Sequence, residues 1–490
     1  MTNLDQGHLV SLSVPAPQYD RSQVSTGIVH IGVGGFHRAH QAMYLDRLMN
    51  QGSAMDWGIC GVGVLAGDAQ MSTVMHDQDC LYTLVLKHAD GTWEPRVIGS
   101  MVEYLFAPDD PDAVIEKMAD PTTRIVSLTI TEGGYNFDQV TGEFDAGNPA
   151  IQADLQPGAL PTTTFGMVVE ALVRRRDRGV APFTVMSCDN IQGNGHVAQK
   201  MFSTFAALRD TDTGDWVRDS VAFPNSMVDR ITPVTTDSDR AEVARRFGVD
   251  DGWPVVAEPF TQWVLEENFS LGRPAYERVG VQLVGDVEPY ELMKLRLLNA
   301  SHQALCYFGY LAGYRLVHDV AQDPVFAAFL LGYMEREATP TLSPVPGIDL
   351  AGYQHELIAR FSNAGVRDTV ARLCTDGSDR IPKWLVPVIR DNLAAGRDVT
   401  LSAAVVASWA RYAEGTDEQG APIPINDRLA DQLTIDARRP GEPLAFVQNR
   451  SLFGDLCDQE AFTLPYLATR ESLDERGSAK TLAALVESLS

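Results

Sequence analysis

Residues Ile28 to Leu48 read IVHIGVGGFHRAHQAMYLDRL. A β-branched run, Ile28-Val29-His30-Ile31, breaks at Gly32-Val33-Gly34-Gly35-Phe36-His37, and a helical pattern then continues through Arg47. Glycines at such a break let the backbone turn tightly and approach a diphosphate, and the following helix offers unpaired N–H groups and a positive dipole end. Gly32, Gly34, Gly35, Phe36 and His37 are the candidate dinucleotide contacts, with a plain structural turn as the alternative. His37 stands where a G-x-G-x-x-G fingerprint carries its third small residue. His37 and His40 form an H-x-x-H pair without an obvious third ligand, so a place near phosphate fits them better than a metal.

Outward from this stretch, further strand candidates are Trp57–Val64, Ile125–Ile130 and Phe183–Ser187, with a helix at Phe165–Arg176. Short pieces at Ala222-Phe223, Val255-Val256 and Val281–Val284 are also strand-like. Strands alternating with helices imply a parallel, doubly wound sheet. The polar, Pro-containing first ~25 residues read as an arm. Beyond about residue 286 the pattern becomes helical, at Glu291–Tyr310, Val325–Glu337, Tyr353–Phe361, Leu385–Ala395, Leu401–Tyr412 and Ala479–Leu489. The expected organisation is an α/β domain over 1–286 and a mostly helical domain over 287–490, with a ligand cleft where they join.

An acidic residue just past the second strand can accept hydrogen bonds from both adenosine ribose hydroxyls and repel a 2'-phosphate, which favours NAD over NADP. Asp68 is so placed, although a turn residue would sit there equally well. Asp46 falls within the first helix and reads as a solvated surface charge.

Glu291-Leu292-Met293-Lys294-Leu295-Arg296-Leu297-Leu298-Asn299-Ala300-Ser301-His302 carries the candidate chemistry. At about 100° per residue, Glu291, Lys294, Asn299 and His302 fall within an arc of roughly 140° on an otherwise apolar helix. Polar groups there are costly unless paired or used. A lysine in a low-dielectric site gives up part of its preference for the charged form and can take a proton from an alcohol as hydride leaves the carbon. An amide N–H from Asn299 can stabilise the developing oxyanion, and His302 can bond a neighbouring hydroxyl. A snorkelling lysine beside core-satisfied polar groups is the competing reading. Cys188-Asp189-Asn190 follows the run Phe183–Ser187, which puts Asn190 at a sheet end where α/β proteins bind ligands, as a second amide donor or a turn residue. Tyr307 and Tyr310 look like core.

Five blocks now carry a resemblance: residues 28–48, SLTITEGGY at 127–135, VMSCDN at 185–190, FPNSMVDRITP at 223–233 and KLRLLNASH at 294–302. Together, and with their spacing, they resemble the long-chain polyol-specific dehydrogenases, most closely the mannitol-oxidising branch. The resemblance implies a Rossmann-type N-terminal domain, a mostly α-helical C-terminal domain, NAD as cofactor and no catalytic metal. It implies Lys294 as general base, Asn190 and Asn299 as the amide pair on the reacting oxygen, His302 as a substrate-positioning histidine and Glu291 as the link from lysine to water. Asp229 and Arg372 are implied substrate contacts, Asp68 the NAD-selective aspartate, and Gly32 and Gly34 the diphosphate turn. Where the mannitol enzymes are expected to carry lysine, this chain has Arg380, which keeps charge but changes reach; Lys383 is a possible substitute. The implied reaction is reversible oxidation of D-mannitol to D-fructose. D-arabinitol oxidation, hexuronate reduction and a non-catalytic NAD or sugar sensor are the alternatives.

The 490 residues carry a net charge of −26, which repels nucleic-acid phosphates and anionic membranes. Neither partner is expected, and no stretch reads as a signal peptide or membrane span. The six cysteines include no C-x-x-C pair and read as free buried thiols of a reducing, cytoplasmic compartment. No coiled-coil heptads enforce assembly, so a monomer acting on a small polyol or ketose is expected.

Overall fold

A computed structural model describes residues 2–137 and 142–489. The chain divides into two compact units, one of Met1–His88 with Thr92–Glu288, the other of Pro289–Ser490 with Ala89–Gly91.

In the first unit, β1 (Thr26–Ile31), β2 (Gly58–Gly63), β3 (Tyr82–Lys87), β4 (Trp93–Ile98), β5 (Met101–Phe106), β6 (Ile125–Leu128) and β7 (Thr184–Ser187) supply most of the sheet structure. A five-stranded sheet runs in the order β5-β2-β1-β6-β7 with every pair parallel. β1 and β2 are buried along their whole length, as strands covered on both faces must be. Helices α1 (Gly35–Ala39), α2 (Gln41–Asn50), α3 (Pro111–Ala119), α4 (Thr164–Asp177) and α5 (Asn194–Arg209) accompany these strands. Chain order reverses between β1 and β6, the crevice at which such sheets bind ligands.

Two smaller mixed sheets and a short two-stranded parallel pair complete the sheet structure among the described residues. β9 (Val255–Ala257) lies parallel to β3, which pairs antiparallel with β4. β10 (Gln262–Glu266) joins β8 (Ser226–Asp229) antiparallel and β11 (Gln282–Val284) parallel.

Several expectations need correcting here. The first 25 residues are not a free arm. Thr2 and Asn3 pair with Val249 and Asp250, Leu4 and Val14 are buried, and the Arg21 guanidinium donates to the carbonyls of Asp79, Gly99 and Met101. The helix after the glycines is interrupted at His40, whose φ −125° and ψ −94° separate α1 from α2. Ala222-Phe223 is not a strand; pairing begins at Ser226. Asp46 is buried rather than solvated, and its carboxylate accepts from Tyr19 Oη at 2.7 Å, Gly99 N at 3.0 Å and Asn50 Nδ2 at 2.9 Å. Burial raises its pKa.

The second unit is helical. Its principal elements are α6 (Glu288–Met293), α7 (Ala300–Leu311), α8 (Pro324–Tyr333), α9 (Leu350–Phe361), α10 (Val370–Cys374), α11 (Gly377–Trp384), α12 (Val386–Ala394), α13 (Thr400–Ala413), α14 (Glu460–Arg476) and α15 (Ser478–Glu487). Between α6 and α7 the chain remains helical but widens into a π-helix over Lys294–Asn299, and a second π segment, Met334–Ala338, extends α8. α7 and α13 bury nearly every side chain, which is why apolar residues are not confined to one stripe of either helix. Tyr307 is core, whereas Tyr310 is only half-buried. Five of the six cysteines are buried, Cys457 is half-buried, and all are free thiols.

Candidate active-site residues

At the end of β1, Gly32 adopts φ +93°, and a Cβ there would stand 2.2 Å from the Thr129 carbonyl oxygen. Only glycine fits, because the neighbouring strand end approaches too closely. Gly34 is different: it is exposed, and a Cβ on it would meet nothing within 4 Å. Space is therefore open just where α1 begins and its first N–H groups lack intrahelical partners. Gly35 packs in ordinary contact with Thr232 and Val255, and Phe36 stacks on His40 with ring centroids 4.8 Å apart.

The expectation for His37 needs revision. Its imidazole points inward, buried and stacked 3.4 Å from the ring of His30, so a phosphate contact there is left to its backbone N–H. Burial holds His30 at about 3 and His37 well below the ordinary histidine pKa, so both rings are neutral.

Asp68 lies in the loop after β2. Its Oδ2 accepts the backbone N–H groups of Val64 and Leu65, both at 2.9 Å. The two readings of Asp68 are thus compatible: it closes the turn with one oxygen and presents a carboxylate at the strand end. Asn190 is exposed just beyond β7. Asp229 ends β8, buried opposite Gln262 of β10. The adjoining Arg230 is structural, donating to the carbonyls of Glu258 and Ala39, and burial lowers its pKa to about 10.

In the helical unit Glu291, Lys294, Asn299 and His302 are all buried, with Lys294 8% exposed. A π turn joins residues i and i+5, so Lys294 and Asn299 stand one turn apart and closer to one face than α-helical spacing predicts. Asn299 Nδ2 and His302 Nε2 are buried without a hydrogen-bond partner. Such orphaned polar atoms mark places where a ligand or water completes the bonding. Burial, with Arg372 and then Arg360 and Arg380 adding to it and Asp368 opposing, takes His302 to about 3.

The surrounding cations are largely engaged. Arg372 is exposed and grips Asp368 through Nε at 2.7 Å and Nη2 at 2.5 Å. Arg380 Nη1 donates to the carbonyls of Leu373 and Arg372, at the end of α10. Lys383 is exposed on α11.

Residues 26–278 match the mannitol dehydrogenase Rossmann domain, and residues 286–473 match the mannitol dehydrogenase C-terminal domain. The chain belongs to the mannitol dehydrogenase family. Among similar members, the mannitol 2-dehydrogenase of Aspergillus fumigatus is 45% identical over 96% of this chain and 95% of its own. That of Phaeosphaeria nodorum is also 45% identical, over 96% of this chain and 83% of its own. The Pseudomonas fluorescens mannitol 2-dehydrogenase, solved as a ternary complex with NAD and D-mannitol, is 45% identical with a TM-score of 0.89, covering 99% of this chain and all of its own. A substrate-free D-sorbitol dehydrogenase structure is 39% identical with a TM-score of 0.89, covering 98% of this chain and 100% of its own.

Within this mannitol dehydrogenase family chain, no group of three or more His, Cys, Asp or Glu among the described residues could hold a metal ion. No helix among them is long and apolar enough to cross a membrane. Sequence reasoning missed Asp189, a buried carboxylate at the end of β7, and the His30–His37 stack beneath the glycine turn. Nothing in a single sequence marks which of these side chains turn inward.

Proposed function

We propose that the chain catalyses the NAD-dependent, metal-free oxidation of D-mannitol to D-fructose and the reverse reduction. The observation that carries this reading is a buried lysine sharing one π turn with a buried, unpartnered asparagine amide, in a chain 45% identical to mannitol 2-dehydrogenases along almost its whole length.

The residues of the nucleotide unit fit NAD. Gly34 leaves open the space that a side chain would fill above the first turn of α1, and Asp68 offers a carboxylate at the end of β2. Bound NAD supplies the hydride acceptor. Lys294 takes the hydroxyl proton on its Nζ. Asn190 and Asn299 each donate an N–H to the same oxygen, which is worth most on the alkoxide-like oxygen of the transition state. Neutral His302 retains one donor and one acceptor for a neighbouring substrate hydroxyl. Asp229 and Arg372 contact the rest of the polyol, and Glu291 passes the proton from lysine toward water. In the reverse direction the same amides polarise the ketone and Lys294 returns the proton. Because oxidation releases a proton, the oxidative direction is favoured at alkaline pH.

A hexuronate would need cations free to clamp its carboxylate. Arg372 turns its Nε and Nη2 edge to Asp368 and Arg380 donates to backbone carbonyls, so neither offers a full guanidinium fork to a carboxylate, which favours a neutral polyol that needs only single hydrogen bonds. The free thiols fit a reducing compartment such as the cytoplasm. The deciding experiment follows reduced nicotinamide absorbance with chelator-treated enzyme, NAD and, separately, D-mannitol, D-arabinitol and D-sorbitol, and runs fructuronate with NADH. The highest kcat/KM is expected with D-mannitol. Turnover confined to another substrate would reassign the substrate, a rate lost to chelator and restored by zinc would contradict the metal-free mechanism, and NAD binding without turnover would mark a sensor.

A further inference from the structure

The segment following β6 crosses the carboxyl end of the sheet beside the glycine turn. Thr129 N donates to Ile31 O at 3.0 Å, and the Thr129 hydroxyl donates to Gly32 O at 2.6 Å. Two residues later Thr131 sits at φ +62°, ψ 169°, a region that is essentially glycine's own. A β-branched threonine is poorly suited to it. Such a conformation persists only where the surroundings over-determine it.

Asp189 supplies that determination. Its carboxylate is 6% exposed and accepts the N–H of Thr131 at 2.8 Å, the N–H of Ile130 at 3.1 Å and the hydroxyl of Tyr135 at 2.8 Å. All three donors are uncharged, and all lie within residues 130–135. Burial raises the carboxyl pKa, so these bonds hold a carboxylate in a place that disfavours its charge. The main chain of Asp189 is held as well: its carbonyl, part of the peptide leading into Asn190, accepts from Asn194 Nδ2 and from Ile191 N, both at 2.9 Å.

We propose that Asp189 is a positioning residue for the reaction, clamping the strained Thr131 turn onto the end of β7 and so fixing the backbone from which Asn190 projects. The clamp joins two loops at the carboxyl end of the sheet, the one after β6 and the one after β7. Asp189 itself touches neither substrate nor cofactor. The proposal rests on the functional reading given above, which assigns Asn190 its task.

Four variants test it: Asp189→Asn, Tyr135→Phe, Thr131→Gly and the double variant Asp189→Asn/Thr131→Gly. Asparagine keeps the shape but replaces one accepting oxygen with an N–H2 group facing a donor. Asp189→Asn is expected to lower kcat for mannitol by about tenfold or more while KM for mannitol moves less than about threefold. Amide exchange at Ile130 and Thr131 is expected to quicken. Glycine adopts the Thr131 conformation unaided, so the double variant is expected to recover at least about threefold of the lost kcat. A kcat for Asp189→Asn within about twofold of the parent would overturn the proposal, as would a double variant no faster than Asp189→Asn. Should Asp189→Asn fail to fold, Tyr135→Phe carries the test, with kcat expected to fall about threefold and exchange at Thr131 to quicken. Unchanged kcat and exchange in Tyr135→Phe would then overturn the clamp. A parent enzyme inactive on every polyol would defeat the functional reading alone, whereas unchanged exchange at Ile130 and Thr131 in Asp189→Asn would defeat the clamp alone.

Discussion

The imidazole of His302 lies against the ring of Phe361, centroids 4.6 Å apart, with its Nε2 buried and unpartnered. The packing that aims this ring also keeps it neutral, at a pKa of about 3. In the unfolded chain the same histidine takes up a proton below about pH 6.5. Its contribution is therefore complete above that pH and is lost as pH falls from there toward 3, by about 1.4 kcal/mol per unit. Urea unfolding at pH 7, 6 and 5 is expected to show the parent losing stability faster than His302→Gln by about 1 kcal/mol per unit. Parallel losses would place His302 in solvent.

Two glycines of one turn are expected to fail differently. Gly32→Ala forces a Cβ against the Thr129 carbonyl at φ +93° and should cost at least about 2 kcal/mol of stability. Gly34→Ala meets no neighbour, so its stability should stay within about 0.5 kcal/mol of the parent. Its Cβ instead fills the proposed diphosphate space, and NADH binding should weaken about tenfold. Thermal melts and NADH fluorescence titrations separate the two effects. Unaltered NADH affinity in Gly34→Ala would place the diphosphate elsewhere.

Asp68 is anchored by the N–H groups of Val64 and Leu65, so its charge is fixed at the strand end. Asp68→Ala removes both the ribose acceptor and the repulsion of a 2'-phosphate. The ratio of kcat/KM for NAD to that for NADP is expected to fall by about tenfold or more. An unchanged ratio would assign cofactor selectivity to other residues.

What could be read in the sequence follows physical lines. β1 and the glycine turn were legible because a fully buried parallel strand and a tight turn leave short, local signatures. Lys294, Asn299 and His302 stood out because each interrupts an apolar helix. The π widening at Lys294–Asn299 was not legible, since the phase shift of about 100° that an inserted residue causes shows only against a polar face, and this helix is buried nearly all round. The burial of Asp46 leaves no local mark, because it depends on Tyr19 and Gly99, partners far off in the chain. The docking of the first 25 residues is hidden for a related reason: sparse apolar anchors such as Leu4 and Val14 form no periodic pattern. The role proposed for Asp189 is illegible in the sequence, because the backbone conformation of Thr131 that its carboxylate meets exists only in three dimensions.

The most direct measurement of the account is the rate of NAD reduction by D-mannitol for the parent and for Lys294→Ala, with folding of both checked by thermal melts. The buried amine on the π turn is expected to carry the proton transfer, so kcat should fall by at least about 10²-fold while the melting temperature and NADH affinity stay near those of the parent. A folded Lys294→Ala enzyme turning over mannitol at close to the parental rate would contradict it.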